Sequence, residues 1–243
     1  MLKTINVLVW NENIHEQTDE RVKAVYPNGI HNTIKDFLEC DDISVKTATL
    51  DDENCGITPE VLEETDVLIW WGHMGHNKVP DEVAKMVQEA VLKGMGIIFL
   101  HSAHHSKPFK LLMGTPCNLS WRGGGEFERV WVIDRSHPIV QGIDRYIEIP
   151  MEEMYGEPFD IPEPDRLIMI GWFENGEVCR SGCVYKRGRG NVFYFQPGHE
   201  DYPVYHQEEI QTVIKNAVRW ANPVYRDNEL TCPRVDKIVR GQR

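Results

Sequence analysis

The sequence predicts an α/β protein with a mostly parallel sheet and helices on both faces of that sheet. Short apolar runs rich in β-branched residues, such as residues 97–100, end in polar or glycine residues, as parallel strands buried on both faces do. These runs alternate with segments of helical periodicity, and that alternation indicates βαβ units. The 243 residues are expected to form one domain, 1–243, in which 222–243 is a C-terminal tail.

Four strands and three helices are predicted in the first half of the chain. The strands are expected at 5–10, 43–50, 66–71 and 97–100, and the helices at 30–38, 59–64 and 80–93. The helix at 80–93 has the clearest pattern, because Val83, Val87 and Val91 lie on one face. Gly94 follows it and suits a helix C-terminus.

The chain from about 121 to 190 is predicted to be an inserted, β-rich segment. Alternating and apolar runs indicate strands at 126–133, 146–150, 167–173 and 182–186. Residues 121–125 (Trp-Arg-Gly-Gly-Gly) are expected to form a flexible turn, whereas the acidic and aromatic segment 151–159 has no clear assignment. A last strand at 191–195 and a closing helix at 207–221 complete the predicted fold.

Composition and charge limit the partners that the sequence predicts. The formal net charge is −12, from 26 basic and 38 acidic residues, which argues against nucleic acid or an anionic membrane as a partner. No apolar run approaches the roughly 18 residues of a membrane span, and the N-terminal run is too short for a signal peptide. The six cysteines form no CxxC pair, so we expect reduced thiols in a cytoplasmic protein.

Histidines are concentrated where the predicted strands end. Eight of the ten follow a predicted strand or open the next helix: His15, His31, His73, His76, His101, His104, His105 and His199. Because the carboxyl ends of parallel strands meet at one edge of a sheet, we expect these side chains to share a crevice. The carboxylates that could reach the same region are Glu12, Glu16, Glu153, Glu157, Glu200 and Asp201.

Imidazoles and carboxylates together allow two kinds of chemistry. One uses a divalent metal, with zinc as the first choice, and its predicted ligands are His73, His101, His104 and His199. A carboxylate, Glu153 or Glu200, would then act as the base. The other kind is metal-free acid–base catalysis by a His/Glu pair. Ser102 is a weaker candidate nucleophile, because its frame is L-H-S-A-H and not G-x-S-x-G.

The turn that follows residues 97–100 resembles the nucleophile turn of class I glutamine amidotransferases, G-x-C-L-G-H-Q. His101 stands where that superfamily has its cysteine. Residues 195–200 (Phe-Gln-Pro-Gly-His-Glu) look like the F-x-H-P-E segment of the same fold, shifted by one residue. The resemblance implies the scaffold, and the missing thiol argues against glutamine hydrolysis.

Stretches along most of the chain resemble the trehalose-utilisation (ThuA-like) family, a branch of that superfamily without the cysteine. They are WNE at 10–12 with HE at 15–16, YPNGIH at 26–31, WGH at 71–73, LHSA at 100–103, EEMYGEPF at 152–159 and QPGHE at 196–200. The resemblance implies a flavodoxin-like, doubly wound sheet. It also implies a role in the use of trehalose or related disaccharides, including keto-sugars.

The preferred hypothesis is a metal-assisted enzyme, a hydrolase, lyase or isomerase, that acts on a sugar or keto-sugar. Its predicted catalytic residues are His101, Glu153, His199 and Glu200. The predicted substrate-binding residues are Glu12, His15, His31, Trp121, Tyr155 and Glu157. Trp121, in a glycine-rich stretch, is the candidate for stacking on a sugar ring.

Two other functions remain open at this point. One is a metal-free His/Glu acid–base enzyme, since imidazoles titrate near neutral pH. The other is a non-catalytic sugar-binding or regulatory protein on the same scaffold, because a fold does not imply a function. In each case the expected partners are a small sugar and further copies of the chain, in a homodimer or a higher homo-oligomer.

Overall fold

A nine-stranded sheet is the main feature of the computed structural model, which describes residues 4–237. In chain order the strands are β1 Ile5–Asn11, β2 Ile43–Thr49, β3 Val67–Trp71, β4 Gly96–Leu100, β5 Ser120–Val132, β6 Tyr146–Gly156, β7 Arg166–Phe173, β8 Val178–Arg187 and β9 Gly190–Phe195. Across the sheet their order is β2-β1-β3-β4-β9-β8-β7-β5-β6. The α/β class predicted from the sequence is therefore confirmed.

The first five strands of that order are parallel and form one half of the sheet. All five were predicted within one residue of their observed ends. Trp71 is paired with Asn11 on one side and with Leu100 on the other, and Leu100 is paired with Phe195. The strands thus end at one level, so the residues that follow them meet at one edge.

The inserted segment forms the other half of the same sheet, which makes the sheet mixed. Of the eight strand pairings in the whole sheet, four are antiparallel. The turn predicted at 121–125 is wrong, because these residues belong to β5. Trp121 is paired with Tyr155, and this cross-strand pairing extends both strands through glycines that weaken strand propensity. The unassigned segment 151–159 accordingly continues β6 as far as Gly156.

Seven α-helices accompany the strands in the described chain. They are α1 His15–Thr18, α2 Glu20–Val25, α3 Ile30–Leu38, α4 Pro59–Glu64, α5 Asp81–Lys93, α6 Lys107–Met113 and α7 Glu208–Ala221. The predictions for α3, α4, α5 and α7 are confirmed to within one residue. Three short helices were missed. For α6 the signal was the cap at Ser106, whose hydroxyl accepts from the Phe109 amide, with Pro108 in the first turn.

Two apolar clusters, one on each face, hold the helices on the sheet. One cluster includes side chains of α3 and α7, and the other includes side chains of α4, α5 and α6. Trp70 and Trp71 are both buried, and Trp70 stacks on Trp10 with ring centroids 3.9 Å apart. Burying one such side chain contributes about 1.5–3 kcal/mol or more to the free energy of folding. The ends of the strands are therefore held in a well-packed core.

Beyond α7 the chain continues without a helix or strand as far as residue 237. Among the described residues, no helix combines the length and apolar character needed to cross a membrane. All six cysteines lie within residues 4–237 and are free thiols.

Candidate functional site

Residues that follow the parallel strands, together with residues of β6, bring ionisable side chains to the carboxyl edge of the parallel strands. His15 begins α1, which follows β1; His73 lies in the loop after β3, and His101 directly follows β4. His199 and Glu200 follow β9. The antiparallel half contributes Glu153 and Tyr155, which lie near the end of β6.

His101 has an unusual backbone conformation, with φ at +50°. It begins a 3₁₀ turn, His101–His105, directly after β4. A positive φ is strained for a residue with a bulky side chain, and such strain is concentrated at functional sites. The ring is fixed as well, because Nδ1 donates to the Gln196 carbonyl at 2.9 Å and Tyr155 stacks on the ring at 4.7 Å.

Glu152, which the sequence analysis did not select, holds the loop after β9 in place. Its buried carboxylate accepts hydrogen bonds from the backbone amides of Gly198 at 2.6 Å, Glu153 at 2.8 Å and His199 at 3.1 Å. The Gly198 carbonyl in turn accepts from the indole of Trp71 at 3.1 Å. These bonds fix the backbone at Glu153, Gly198 and His199, and so they position the side chains of Glu153 and His199.

The centre of the site is a network of imidazoles and carboxylates. One oxygen of Glu200, Oε1, lies 2.5 Å from Nδ1 of His15 and 2.5 Å from Nδ1 of His73. Nε2 of His101 lies 3.2 Å from Oε2 of Glu153. Nε2 of His199 lies between the two carboxylates, 3.9 Å from Glu153 and 3.8 Å from Glu200.

These contacts set the charges of the network. Burial alone would lower the pKa of His101, but the hydrogen bond to Glu153 and the charges of Glu152 and Glu153 raise it to about 8. Burial would raise the pKa of Glu200, but hydrogen bonds from His15 and His73 hold it well below its usual value. At neutral pH His101 is therefore a proton donor and Glu200 a carboxylate.

Two groups of three side chains have the donor atoms and the proximity that a metal ion requires. The first is His15, His73 and Glu200, and the second is His73, Glu153 and His199; within each group the donor atoms lie within 4.8 Å of one another. His73 belongs to both. His101 and His104, which were also predicted as ligands, are in neither of these two groups, and their assignment as ligands stays a prediction.

A cavity of about 310 Å³ opens beside the second group. This volume is at the lower end of the range for small-molecule sites. Its lining residues are His73, His76, Ser102, His104, His105, Asn118, Leu119, Trp121, Glu153 and Tyr155. Trp121 lies at the mouth and is 68% exposed. Of the predicted site residues, His73, His104, Trp121, Glu153 and Tyr155 therefore share this cavity.

Three predicted substrate-binding residues form hydrogen bonds or an ion pair with other residues of the protein. The carboxylate of Glu12 accepts the backbone amides of Met74 and Gly75, both at 2.7 Å, and so shapes the loop after β3. His31 contacts the Asn11 amide at 3.0 Å. The carboxylate of Glu157 is paired with Arg180 at 2.8 Å.

Two further predicted groups at the edge of the cavity also have internal partners. Nδ1 of His104 donates to the Cys117 carbonyl at 2.7 Å. The hydroxyl of Ser102, the weaker candidate nucleophile, donates to the Gly72 carbonyl at 2.9 Å. Sequence reasoning placed His76 and His105 in the shared crevice but gave them no role in the site, and it did not select Asn118. For the two histidines the signal was their position after a strand, whereas Asn118 has no comparable signal.

Comparison with known proteins identifies the family of the chain. A family model for ThuA, described as trehalose utilisation, matches residues 6–221. A search of curated protein sequences finds no significant match.

Solved structures share the fold at low sequence identity. A ThuA-like protein from Bacteroides uniformis ATCC 8492 is 15% identical with a TM-score of 0.64, over 90% of this chain and 92% of that one. A ThuA-like protein from Parabacteroides merdae ATCC 43184 is 14% identical with a TM-score of 0.63, over 94% and 93%. Cytoplasmic protein STM1381 from Salmonella typhimurium LT2 is 12% identical with a TM-score of 0.61, over 90% and 100%. Because the family model spans most of the sequence, the chain belongs to the ThuA family.

Proposed function

We propose that the chain is a metal-assisted enzyme that acts on a sugar or keto-sugar, with zinc held by His73, His199 and Glu153. The observation that carries the proposal is the position of this group: its donor atoms lie within 4.8 Å of one another, and His73 and Glu153 also line the cavity. Two imidazoles and one carboxylate form a ligand set found in catalytic zinc sites, which keep one position open for water or substrate. The family description, trehalose utilisation, supports a carbohydrate as the substrate.

Glu200 supports this choice of ligands in two ways. Its Oε1 accepts from Nδ1 of His73, which leaves Nε2 available for a metal, and ligating histidines usually have such a carboxylate partner. Its Oε2 is buried and has no hydrogen-bond partner among residues 4–237, although it lies 3.8 Å from Nε2 of His199. A bound cation or water would satisfy this oxygen.

The chain's own residues supply proton transfer beside the proposed ligands. A metal at this place would polarise a carbonyl group or activate water. His101 does not itself line the cavity, but its Nε2 lies 3.2 Å from Oε2 of Glu153 and 3.3 Å from the Tyr155 hydroxyl, and both of these residues do. A proton held on Nε2 at neutral pH can reach a substrate oxygen through them. Glu200 stays ionised, because its pKa is held low, and its carboxylate orients His73. These roles fit a hydrolase, a lyase or an isomerase.

One contact favours a second candidate, a metal-free acid–base enzyme. Nδ1 of His199 accepts the backbone amide of Asp201 at 3.1 Å, so the neutral ring carries its proton on Nε2. That tautomer opposes metal binding through Nε2. In this alternative the pair of His101 and Glu153, 3.2 Å apart, is the acid and base.

Three further expectations, on the arrangement of the sheet, the cellular location and the assembly, complete the proposal. The order of the parallel strands, β2-β1-β3-β4-β9, supports the doubly wound, flavodoxin-like arrangement that we propose for this half of the sheet. The six free cysteines support a place in the cytoplasm. A homodimer is the assembly that we propose by default.

The test is turnover of trehalose and of its keto derivatives by protein as purified, after chelation, and after zinc is restored. We expect chelation to abolish product formation and zinc to restore it. Activity that survives exhaustive chelation would favour the metal-free enzyme. Sugar binding without product across the panel would contradict both enzymes and leave a binding protein.

A further inference from the structure

We propose that the outer end of the cavity is a subsite for an uncharged, non-reacting sugar ring. This outer subsite consists of His76, His105, Asn118 and Trp121. The inference rests on the proposed function, because it places the reacting part of the substrate at the inner end, beside His73. It adds the class of ligand and the residues that would select it.

The two ends of the cavity differ in chemistry. The inner end contains the buried carboxylate of Glu153, which lies 3.2 Å from Nε2 of His101. The outer end, marked by the exposed Trp121, has amide, imidazole and apolar surface. None of the ten described residues that line the cavity is lysine or arginine. Phosphate and carboxylate groups on ligands are usually bound by such cations. Lys110 is near enough for its charge, in addition to burial, to lower the pKa of the two histidines of the outer subsite, but it is not in the lining, so the outer subsite suits a neutral part of the ligand.

The imidazoles of the outer subsite suit hydroxyl groups. Burial lowers the pKa of His76 to about 3, and burial also lowers the pKa of His105. A neutral imidazole offers one donor and one acceptor, which matches a hydroxyl group that both donates and accepts. His105 is positioned by Asn118, whose Oδ1 lies 3.1 Å from its Nε2, and the Asn118 amide group adds further donors.

Trp121 supplies the apolar surface against which a sugar ring would stack. Its indole is 68% exposed at the mouth of the cavity, and its backbone is paired with Tyr155, which lines the same cavity. Leu119 adds a second apolar side chain to the lining. A large exposed aromatic ring next to convergent polar groups is a feature of ligand sites, because the bound ligand covers apolar area that water otherwise contacts.

The experiment compares a one-ring ligand with a two-ring ligand. Calorimetry would measure the binding of methyl α-glucoside, trehalose and trehalose 6-phosphate to protein with its native metal content. In Trp121→Ala we expect trehalose affinity to fall about tenfold, which is roughly 1.4 kcal/mol. Affinity for methyl α-glucoside should stay within about twofold, and Trp121→Phe should retain most of the trehalose affinity. Trp172→Ala, at a half-buried tryptophan of β7 outside the cavity lining, is the control.

Two results would overturn the outer subsite. One is an equal loss of affinity for both neutral ligands in Trp121→Ala, and the other is tighter binding of the phosphate than of trehalose. His105→Ala provides a second variant with the same expected selectivity. The readout is a ratio of affinities and needs no turnover. Failure of the subsite is thus distinguishable from failure of the metal centre, which appears as missing metal or missing product.

Discussion

Replacing Glu153 by glutamine should remove the proton from His101 at neutral pH. The hydrogen bond between them, 3.2 Å from Nε2 to Oε2, is the largest effect that raises the pKa of this fully buried imidazole. Glutamine keeps the size of the side chain and removes its charge. Burial, which disfavours the imidazolium, would then bring the pKa of His101 below neutral pH.

The contribution of this pair to stability depends on pH. The pKa of His101 rises from 6.5 to about 8 in the folded protein, and this difference corresponds to roughly 2 kcal/mol in favour of the imidazolium. Because the folded value is above the unfolded one, this stabilisation is fully present below pH 6.5 and is lost as the pH rises through 8. Glu153→Gln should therefore cost roughly 2 kcal/mol near pH 6 and little near pH 9.5.

The assay is a double-mutant cycle of Glu153→Gln and His101→Asn in metal-free protein, with urea unfolding near pH 6 and 9.5. Asparagine suits position 101 because it tolerates positive φ better than most residues. The control is Glu148→Gln, which breaks an exposed pair with Arg129 and should cost at most about 1 kcal/mol at either pH. A coupling energy that is the same at both pH values, or an NMR-derived His101 pKa below 6.5 in the wild type, would refute the reasoning.

Two further substitutions test the surroundings of the site. Glu200→Gln should weaken zinc binding about 10–100-fold without abolishing it, because the carboxylate only orients His73; zinc titration with a competing chelator would measure this, and unchanged affinity would contradict it. Gly198→Ala should lower the free energy of unfolding by roughly 2 kcal/mol or more, because φ is +134° and the added Cβ would lie 1.9 Å from the Tyr205 hydroxyl. Gly176→Ala, with φ +102° and open space, isolates the backbone contribution, so an equal loss in both variants would contradict a role for Tyr205.

The positions of the strands and of the main histidines could be predicted from the sequence. Apolar runs fixed the ends of β1, β3, β4 and β9, and parallel strands of this kind deliver the following residues to one edge. His73, His101 and His199 therefore meet as expected, with ring centroids 5.2–6.3 Å apart. The local hydrophobic pattern is therefore sufficient to predict where these strands end and which histidines meet beyond them.

The partners of each side chain could not be predicted. Glu152 and Glu153 are neighbours in the sequence, yet one accepts three backbone amides and the other contacts His101, because alternate residues of β6 face opposite ways. Glu12 was expected to contact substrate, but two backbone amides occupy its carboxylate. Such contacts join residues far apart in the chain, and periodicity does not encode them.

The most direct test of the proposed metal centre is the metal content of untagged protein purified without chelator or added metal. Elemental analysis of the wild type should give about one zinc ion per chain, and His73→Ala and His199→Ala should each lose it. His206→Ala, outside the site, should retain it. Absence of metal from the wild type, with none taken up when zinc is added, would contradict the account. So would loss of metal in His15→Ala together with its retention in His199→Ala, because that result would place the ion at the other group.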